Sequence, residues 1–130
     1  IEYYNDLKGI KAAAILDIGP IQVGYMVDLN ESFGDSLTPS IYLHYRLIST
    51  TDLEPIFESN AYYSAAMLKE HYSFEGWHQT IIKGPDEHIY SSKEALVSDT
   101  DGAVRRMQHG IDEISKHLVS RIKKAGDSNR

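Results

Sequence analysis

The chain of 130 residues contains no cysteine. Disulfide bonds, thiol catalysis and thiolate metal sites are therefore excluded. Long apolar runs are absent as well: the longest, residues 12–16, ends at Asp17, whereas a transmembrane helix needs about 20 mostly apolar residues. The lack of cysteine does not select a compartment, because a domain of this length holds a core without cross-links.

Basic side chains are scarce over most of the chain. Residues 1–98 hold 6 basic and 14 acidic side chains, a balance of -8, whereas residues 99–130 hold 7 basic and 5 acidic, a balance of +2. Nucleic-acid-binding proteins need a dense basic face, so this class is disfavoured. With 42% hydrophobic and 25% charged residues, the composition is typical of a globular chain, and we predict one domain over residues 1–130 with a frayed tail at 126–130.

Alternation of apolar and polar residues predicts strands in the first two thirds of the chain. The segment 21–29 carries an apolar row that predicts a half-buried strand, and Gly19-Pro20 before it predicts a chain break. The apolar row of this segment is Ile21, Val23, Tyr25, Val27 and Leu29. The next predicted strand, 40–49, has the row Ile41, Leu43, Tyr45 and Leu47.

Further strands are predicted at 55–64, 79–83 and 88–90. Five residues separate the strands 40–49 and 55–64, which favours an antiparallel hairpin. The segment 84–87, Gly-Pro-Asp-Glu, has the composition of a turn. The pattern as a whole predicts a meander of about six or seven strands.

Near the C-terminus the spacing of apolar residues changes from that of a strand to that of a helix. Ser91-x-x-Glu94 fits a capping box and predicts a short helix. A longer amphipathic helix, 100–124, follows from apolar residues at spacings of three and four, namely Val104, Met107, Ile111, Ile114, Leu118 and Ile122. We expect this seam to cover one face of the sheet; the alternative is self-association through it, which would make a homo-oligomer. The predicted fold is α+β, an antiparallel meander-like sheet with the C-terminal helix packed on one face.

Six histidines raise the question of a metal site. The weak candidates are His71, His78 and His88, which fall with several acidic residues in one 20-residue stretch. Their spacing matches no known ligand pattern, so we expect no metal site and no cofactor. His109 and His117 are predicted to flank the apolar seam of the long helix.

Catalytic motifs are lacking. The chain has no Gly-x-Ser-x-Gly elbow and no phosphate-binding glycine loop. We therefore expect a protein that is not an enzyme. A small enzyme that uses undetected carboxylate or histidine chemistry is the alternative.

Nine tyrosines suggest a binding face. Tyr42 and Tyr62 fall opposite the apolar rows of their strands, and with His44 and Trp77 they are our candidates for contact with a protein partner, since aromatic side chains bind with little loss of entropy. Cross-strand aromatic pairs that only stabilise the sheet are the alternative interpretation.

Residues 40–122 carry a diffuse resemblance to a family. The sequences concerned are Ser40-Ile-Tyr-Leu-His-Tyr-Arg-Leu-Ile-Ser49, then an aromatic hairpin and Trp77, and finally His88-Ile-Tyr-Ser-Ser-Lys-Glu-Ala-Leu96, which leads into a helix with Ala103, Gly110 and Ile111. This region resembles soluble domains of bacterial cell-envelope lipoproteins of largely unassigned function. The resemblance implies a periplasmic accessory domain that is anchored through a lipidated residue upstream and acts by protein or lipid contacts.

Together these observations predict a non-enzymatic accessory domain of the cell envelope that binds a protein partner and no nucleic acid. An acidic inhibitor-like or immunity-type binding protein is the first alternative, because the acidic, tyrosine-rich chain would suit it equally, and its location would then be cytoplasmic or secreted.

Overall fold

A computed structural model describes residues 14–27, 36–66 and 79–128. Within them, four strands are followed by a 3-10 turn at Asp86–His88 and two helices. These are β1 (Ala14–Val27), β2 (Leu37–Ser49), β3 (Pro55–Ser64), β4 (Gln79–Lys83), α1 (Lys93–Val97) and α2 (Thr100–Ser128).

The strands form one sheet in the order β1-β2-β3-β4. The β1–β2 and β2–β3 pairs are antiparallel, and the β3–β4 pair is parallel. The α+β architecture, with a mostly antiparallel sheet and a long C-terminal helix packed on it, is therefore confirmed. The parallel pair makes the sheet mixed, because β4 returns in the direction of β3 instead of reversing it.

The predicted break at Gly19-Pro20 is wrong. β1 continues through it as a 14-residue strand, and the pairing with β2 shifts register between Ile18 and Ile21. Proline has no N–H to donate to the sheet, and a bulge accommodates such a residue without ending the strand. Ile18 and Ile21 consequently lie opposite Tyr45 and Leu43.

The predicted hairpin of β2 and β3 is confirmed, whereas the predicted strand at 88–90 is wrong. His88 ends the 3-10 turn, and Tyr90 makes a single antiparallel bridge to Leu37, with both N–H···O distances 2.8 Å. β2 extends beyond the end of β3 at this point, so Tyr90 occupies a position that no residue of β3 reaches. Four strands thus replace the expected six or seven among the described residues.

The short helix α1 begins one residue later than the predicted capping box. Its N-cap is Ser92, whose side chain accepts a hydrogen bond from the Ala95 amide at 3.1 Å. The long helix runs to Ser128, past the predicted end near residue 124 and into the segment predicted to fray. Neither described helix is long and apolar enough to cross a membrane.

The helix α2 packs on β2 and β3. Its buried residues join the inward row of the sheet in one cluster made of Ile41, Leu43, Tyr45, Ala61, Tyr63, Ile114 and Leu118. The predicted seam is partly wrong, because Val104 is 70% exposed and Ile111 39% exposed. The preceding residue in each case, Ala103 and Gly110, is buried instead.

The small residues Ala103 and Gly110 determine which face of α2 turns toward the sheet. A Cβ atom added to Gly110 would lie 2.6 Å from Tyr63 Cε1 and 3.0 Å from Ile41 Cδ1. Atoms in a packed core do not approach so closely, so a side chain at this position would push the helix away from the sheet. Gly84 also lies against the ring of Tyr63, at its hydroxyl end. Tyr63 is fully buried between the two glycines, and burial raises the pKa of its phenol.

Two histidines of α2 also contact this core. Tyr45 Oη and His117 Nε2 are 3.0 Å apart, and the ring of His109 lies 6.4 Å from that of Tyr63. Burial, followed by the nearby cations Arg121 and Lys124, lowers the pKa of His117. Both residues thus lie beside the helix seam, as predicted.

Tyr25 connects β1 to the helix. Its hydroxyl donates to the carbonyl of Ala103 at 2.7 Å, and its ring lies 5.7 Å from that of Tyr90. Burial, followed by the neighbouring Tyr90, raises the pKa of Tyr25 to about 12. The end of β1 is therefore attached to the first turn of α2, although the body of the helix lies over β2 and β3.

We predict opposite effects for alanine at two glycines of α2. Gly110→Ala should lower the free energy of unfolding by about 1–3 kcal/mol, because the added methyl overpacks the core. Gly126→Ala, where nothing lies within 4 Å, should leave it unchanged or raise it by up to ~1 kcal/mol, because alanine favours helix. Urea denaturation measures both, and equal stabilisation by the two variants would contradict the close approach.

Candidate functional site

The sheet face opposite α2 carries three of the predicted binding residues. The hydroxyl of Tyr42 donates to Asn60 Oδ1 at 3.1 Å, and His44 Nδ1 lies 2.8 Å from the same oxygen. His44 Nε2 lies 2.7 Å from Glu58 Oε1. Because residues two apart on a strand share a face, the antiparallel register of β2 and β3 brings these four side chains into one line, which we call the polar row.

Further side chains continue the polar row along β3 and onto β1. The rings of Tyr42 and Tyr62, which are opposite each other in the register, lie 6.4 Å apart. At the other end, Arg46 Nη2 donates to Asp17 Oδ2 of β1 at 2.8 Å. The row is partly exposed, with 22% of the His44 side chain and 47% of the Glu58 side chain accessible to solvent.

The side chains of the polar row hold one another in place. Both nitrogens of His44 are engaged by oxygen atoms, so neither is placed to take a proton from an attacking hydroxyl. Asn60, which is only 5% exposed, holds Tyr42 and His44 in place. Fixed aromatic and polar groups of this kind lower the entropy cost of binding.

Sequence patterns did not identify Asn60 and Glu58 as members of this row. Their alternation with Ser59 and Phe57 places them on the outward face of β3, but their cross-strand partners depend on the register. That register shifts between Leu47 and Ile48, which loop length alone does not specify.

The remaining predicted residues are Trp77, His71, His78 and His88. Trp77, His71 and His78 lie outside the described residues. The ring of His88 lies on the other side of the sheet, 5.1 Å from the ring of His109 of α2. Among the side chains that the structure describes, no three histidines or acids come together in a way that could hold a metal ion.

A second surface was not predicted at all. Along β1 the apolar row of Ile21, Val23 and Val27, expected to be half-buried, is 57%, 52% and 52% exposed. These residues share the inward face of the sheet, since Ile21 lies opposite the buried Leu43 and Val23 opposite the buried Ile41. The helix covers the inward face of β2 and β3 and leaves that of β1 open.

The adjacent flank of α2 is also apolar and exposed. His109 contacts Tyr63 of β3 and His88 beyond β4. Val104 and Ile111, about 140° and 160° further round the helix at 100° per residue, therefore face the β1 side. Together with Ile21 and Val23 they make up the exposed apolar surface that we call the β1 groove.

The edge position of β1 makes this groove unusual. Among the described strands, β1 pairs only with β2. Its 14 residues include one charged side chain, Asp17, and that carboxylate is paired with Arg46. Natural edge strands are commonly protected by charges, a short length, proline or a bulge. This strand has Pro20 and the register shift beside it, but it is long and its one charge is paired.

Comparison of the chain with protein-family models, with curated proteins and with solved structures gives no match.

We predict that Asn60→Ala lowers the free energy of unfolding by about 1–2 kcal/mol, because Tyr42 and His44 lose their shared acceptor in a partly buried position. Gln108→Ala is the control, since it removes a fully exposed hydrogen bond to Asp112 and should change stability by less than about 0.5 kcal/mol. Urea denaturation measures the stability of both variants. Equal effects would show that the hydrogen bonds of Asn60 to Tyr42 and His44 do not stabilise the fold.

Proposed function

We propose that this chain is a non-enzymatic protein-binding domain and that its partner binds as an extended segment along β1. The exposed apolar row of Ile21, Val23 and Val27 supports this proposal most directly. An edge strand offers a row of backbone donors and acceptors to an incoming strand. Contiguous exposed apolar residues on a folded domain mark interaction surfaces.

The β1 groove supplies the site for every second side chain of the partner. Successive side chains of a strand point to opposite faces. Those that point inward would pack against Ile21 and Val23 on one side and against Val104 and Ile111 on the other. Burial of these apolar surfaces, at about 25 cal/mol per Å², provides the affinity.

The polar row supplies contacts for the alternate side chains. On the outward face, Gln22 of β1 lies between the partner position and Tyr42, and Gly24 beside it has no side chain. A long side chain of the partner would pass over this gap toward Tyr42. Tyr42, His44 and Tyr62 thereby give specificity rather than the bulk of the binding energy.

Charge favours a basic partner. The balance of -8 over residues 1–98 attracts a basic segment and speeds its association. The groove itself carries no unpaired charge among the described residues of β1, because Asp17 is neutralised by Arg46. The partner segment is thus expected to combine β-branched or aromatic residues in alternation with lysine or arginine.

We further propose that the domain acts in the bacterial cell envelope, as the resemblance over residues 40–122 implies. A domain that captures an extended segment of another protein suits an accessory role there. Fractionation of the source cells with an antibody against the chain tests this location. We expect the protein in the periplasmic or membrane-associated fraction, and recovery in the cytoplasm alone would contradict the proposal.

The partner is identified first, by photo-crosslinking in cells. A photo-crosslinking residue is placed at position 23, and the same residue at position 97 is the control. Val97 is 59% exposed but lies on α1, so it should give no specific product. A crosslink only to a second copy of the chain would contradict a heterologous partner and indicate a homo-oligomer.

With the purified partner, we expect Val23→Lys to weaken binding at least about tenfold, because central interface residues carry 2 kcal/mol or more. Val97→Lys should leave the Kd unchanged. Both positions are exposed, so the thermal midpoints should stay within a few degrees of each other. Equal Kd values for Val23→Lys and the parent chain would exclude the β1 groove as the binding site.

A further inference from the structure

Four nitrogen-bearing side chains converge near the start of α2, away from the β1 groove. They line a surface cleft of about 350 Å³ formed by His88, Asp99, Gly102, Arg105, Arg106 and His109. We call it the His–Arg cleft. Gly102, Arg105, Arg106 and His109 recur at helical spacing and share one face of α2, while His88 reaches them from the 3-10 turn after β4.

The cations of the cleft are available to a ligand. Among the described residues, neither Arg105 nor Arg106 forms a salt bridge. Arg106 Cζ instead lies 4.1 Å from the centre of the Tyr90 ring, which fixes the position of the guanidinium. The one acidic side chain, Asp99, is already engaged, because its Oδ2 accepts a hydrogen bond from the Tyr90 hydroxyl at 2.8 Å.

The ring of His88 adds a further basic group to the lining of the cleft. Its Nδ1 atom is buried and has no hydrogen-bond partner among the described residues, so a ligand would contact the ring through its Nε2 edge. At roughly 30 Å³ per water, the cleft has room for about ten waters, which is enough for an oxyanion and part of its carrier.

We propose that the His–Arg cleft binds a dianionic oxyanion of the phosphate-monoester class, held by Arg105 and Arg106 and hydrogen-bonded to His88 and His109. Guanidinium groups match the geometry of phosphate oxygens. The amino-terminal end of α2 adds a favourable dipole beside them. With neutral histidines, the two arginines and Asp99 give the cleft a net charge of +1, and protonation of His88 raises it to +2.

Affinity for the oxyanion therefore rises as the pH falls. His88 faces His109, Arg106 and Glu87, and His109 faces Tyr63 and His88. Burial, then His109, then Arg106 lower the pKa of His88, and Glu87 opposes them. A bound dianion stabilises the protonated rings, so binding takes up protons, and the affinity increases toward acidic pH.

Sulfate is the first probe, because it stays a dianion throughout this pH range. We expect a sulfate titration followed by NMR at constant ionic strength to give saturable shifts of the His88 and His109 rings. The Kd should be about tenfold lower at pH 5.5 than at pH 7.5. Methyl phosphate and vesicles that contain phosphatidic acid then distinguish a free monoester from a lipid headgroup, and Arg105-dependent binding of either supports the proposal.

Two matched variants distinguish binding at the His–Arg cleft from non-specific attraction to the positive charge of the helix. Arg105→Gln should weaken sulfate binding at least about fivefold, since one of two guanidinium contacts is lost. Lys123→Gln removes the same charge from the same helix, about 27 Å along its axis, and should have little effect. Equal weakening by both variants, a Kd independent of pH, or the absence of saturable shifts at the two histidines would overturn the proposal.

Discussion

The close contact between Gly110 of α2 and the ring of Tyr63 determines how the helix lies on the sheet. No side chain fits between them, since a Cβ atom at position 110 would lie 2.6 Å from Tyr63 Cε1. Tyr63 belongs to β3, so the helix lies over β2 and β3 and buries Ile114 and Leu118 there. Among the described residues, Ile21, Val23 and Val27 on the inward face of β1 are left exposed, and they give rise to the β1 groove.

The same placement separates the molecule into regions with different chemistry. The flank of α2 toward β1 exposes Val104 and Ile111, whereas the opposite flank brings His109 against His88 and turns Arg105 and Arg106 toward the His–Arg cleft. The far face of the sheet carries the polar row, fixed by Asn60. The apolar groove and the cationic cleft therefore follow from one helix placed over the two central strands of the sheet, whereas the polar row follows from the register of β2 and β3.

Period-two and period-3.6 patterns predicted the strands at 40–49, 55–64 and 79–83, the hairpin and the long helix, because these depend on burial along the chain. These patterns failed where a contact between residues distant in sequence determines which side chains are buried. Ala103 and Gly110 are buried in place of Val104 and Ile111 because the backbone must approach Tyr63. The row of Ile21, Val23 and Val27 has the pattern of a half-buried strand, but no local pattern reveals that the helix stops short of it.

Cysteine labelling tests most directly whether the exposed row of β1 is accessible while the neighbouring residues of β2 are covered. The chain has no cysteine, so single cysteines report accessibility directly. Ile21 and Leu43 lie opposite each other in the register and are 57% and 5% exposed. We expect the thiol of Ile21→Cys to react with a labelling reagent at nearly the rate of the unfolded chain. The thiol of Leu43→Cys should react at least about 100-fold more slowly, because its reaction requires opening of the core. Equally slow labelling of both thiols would show that Ile21 is covered.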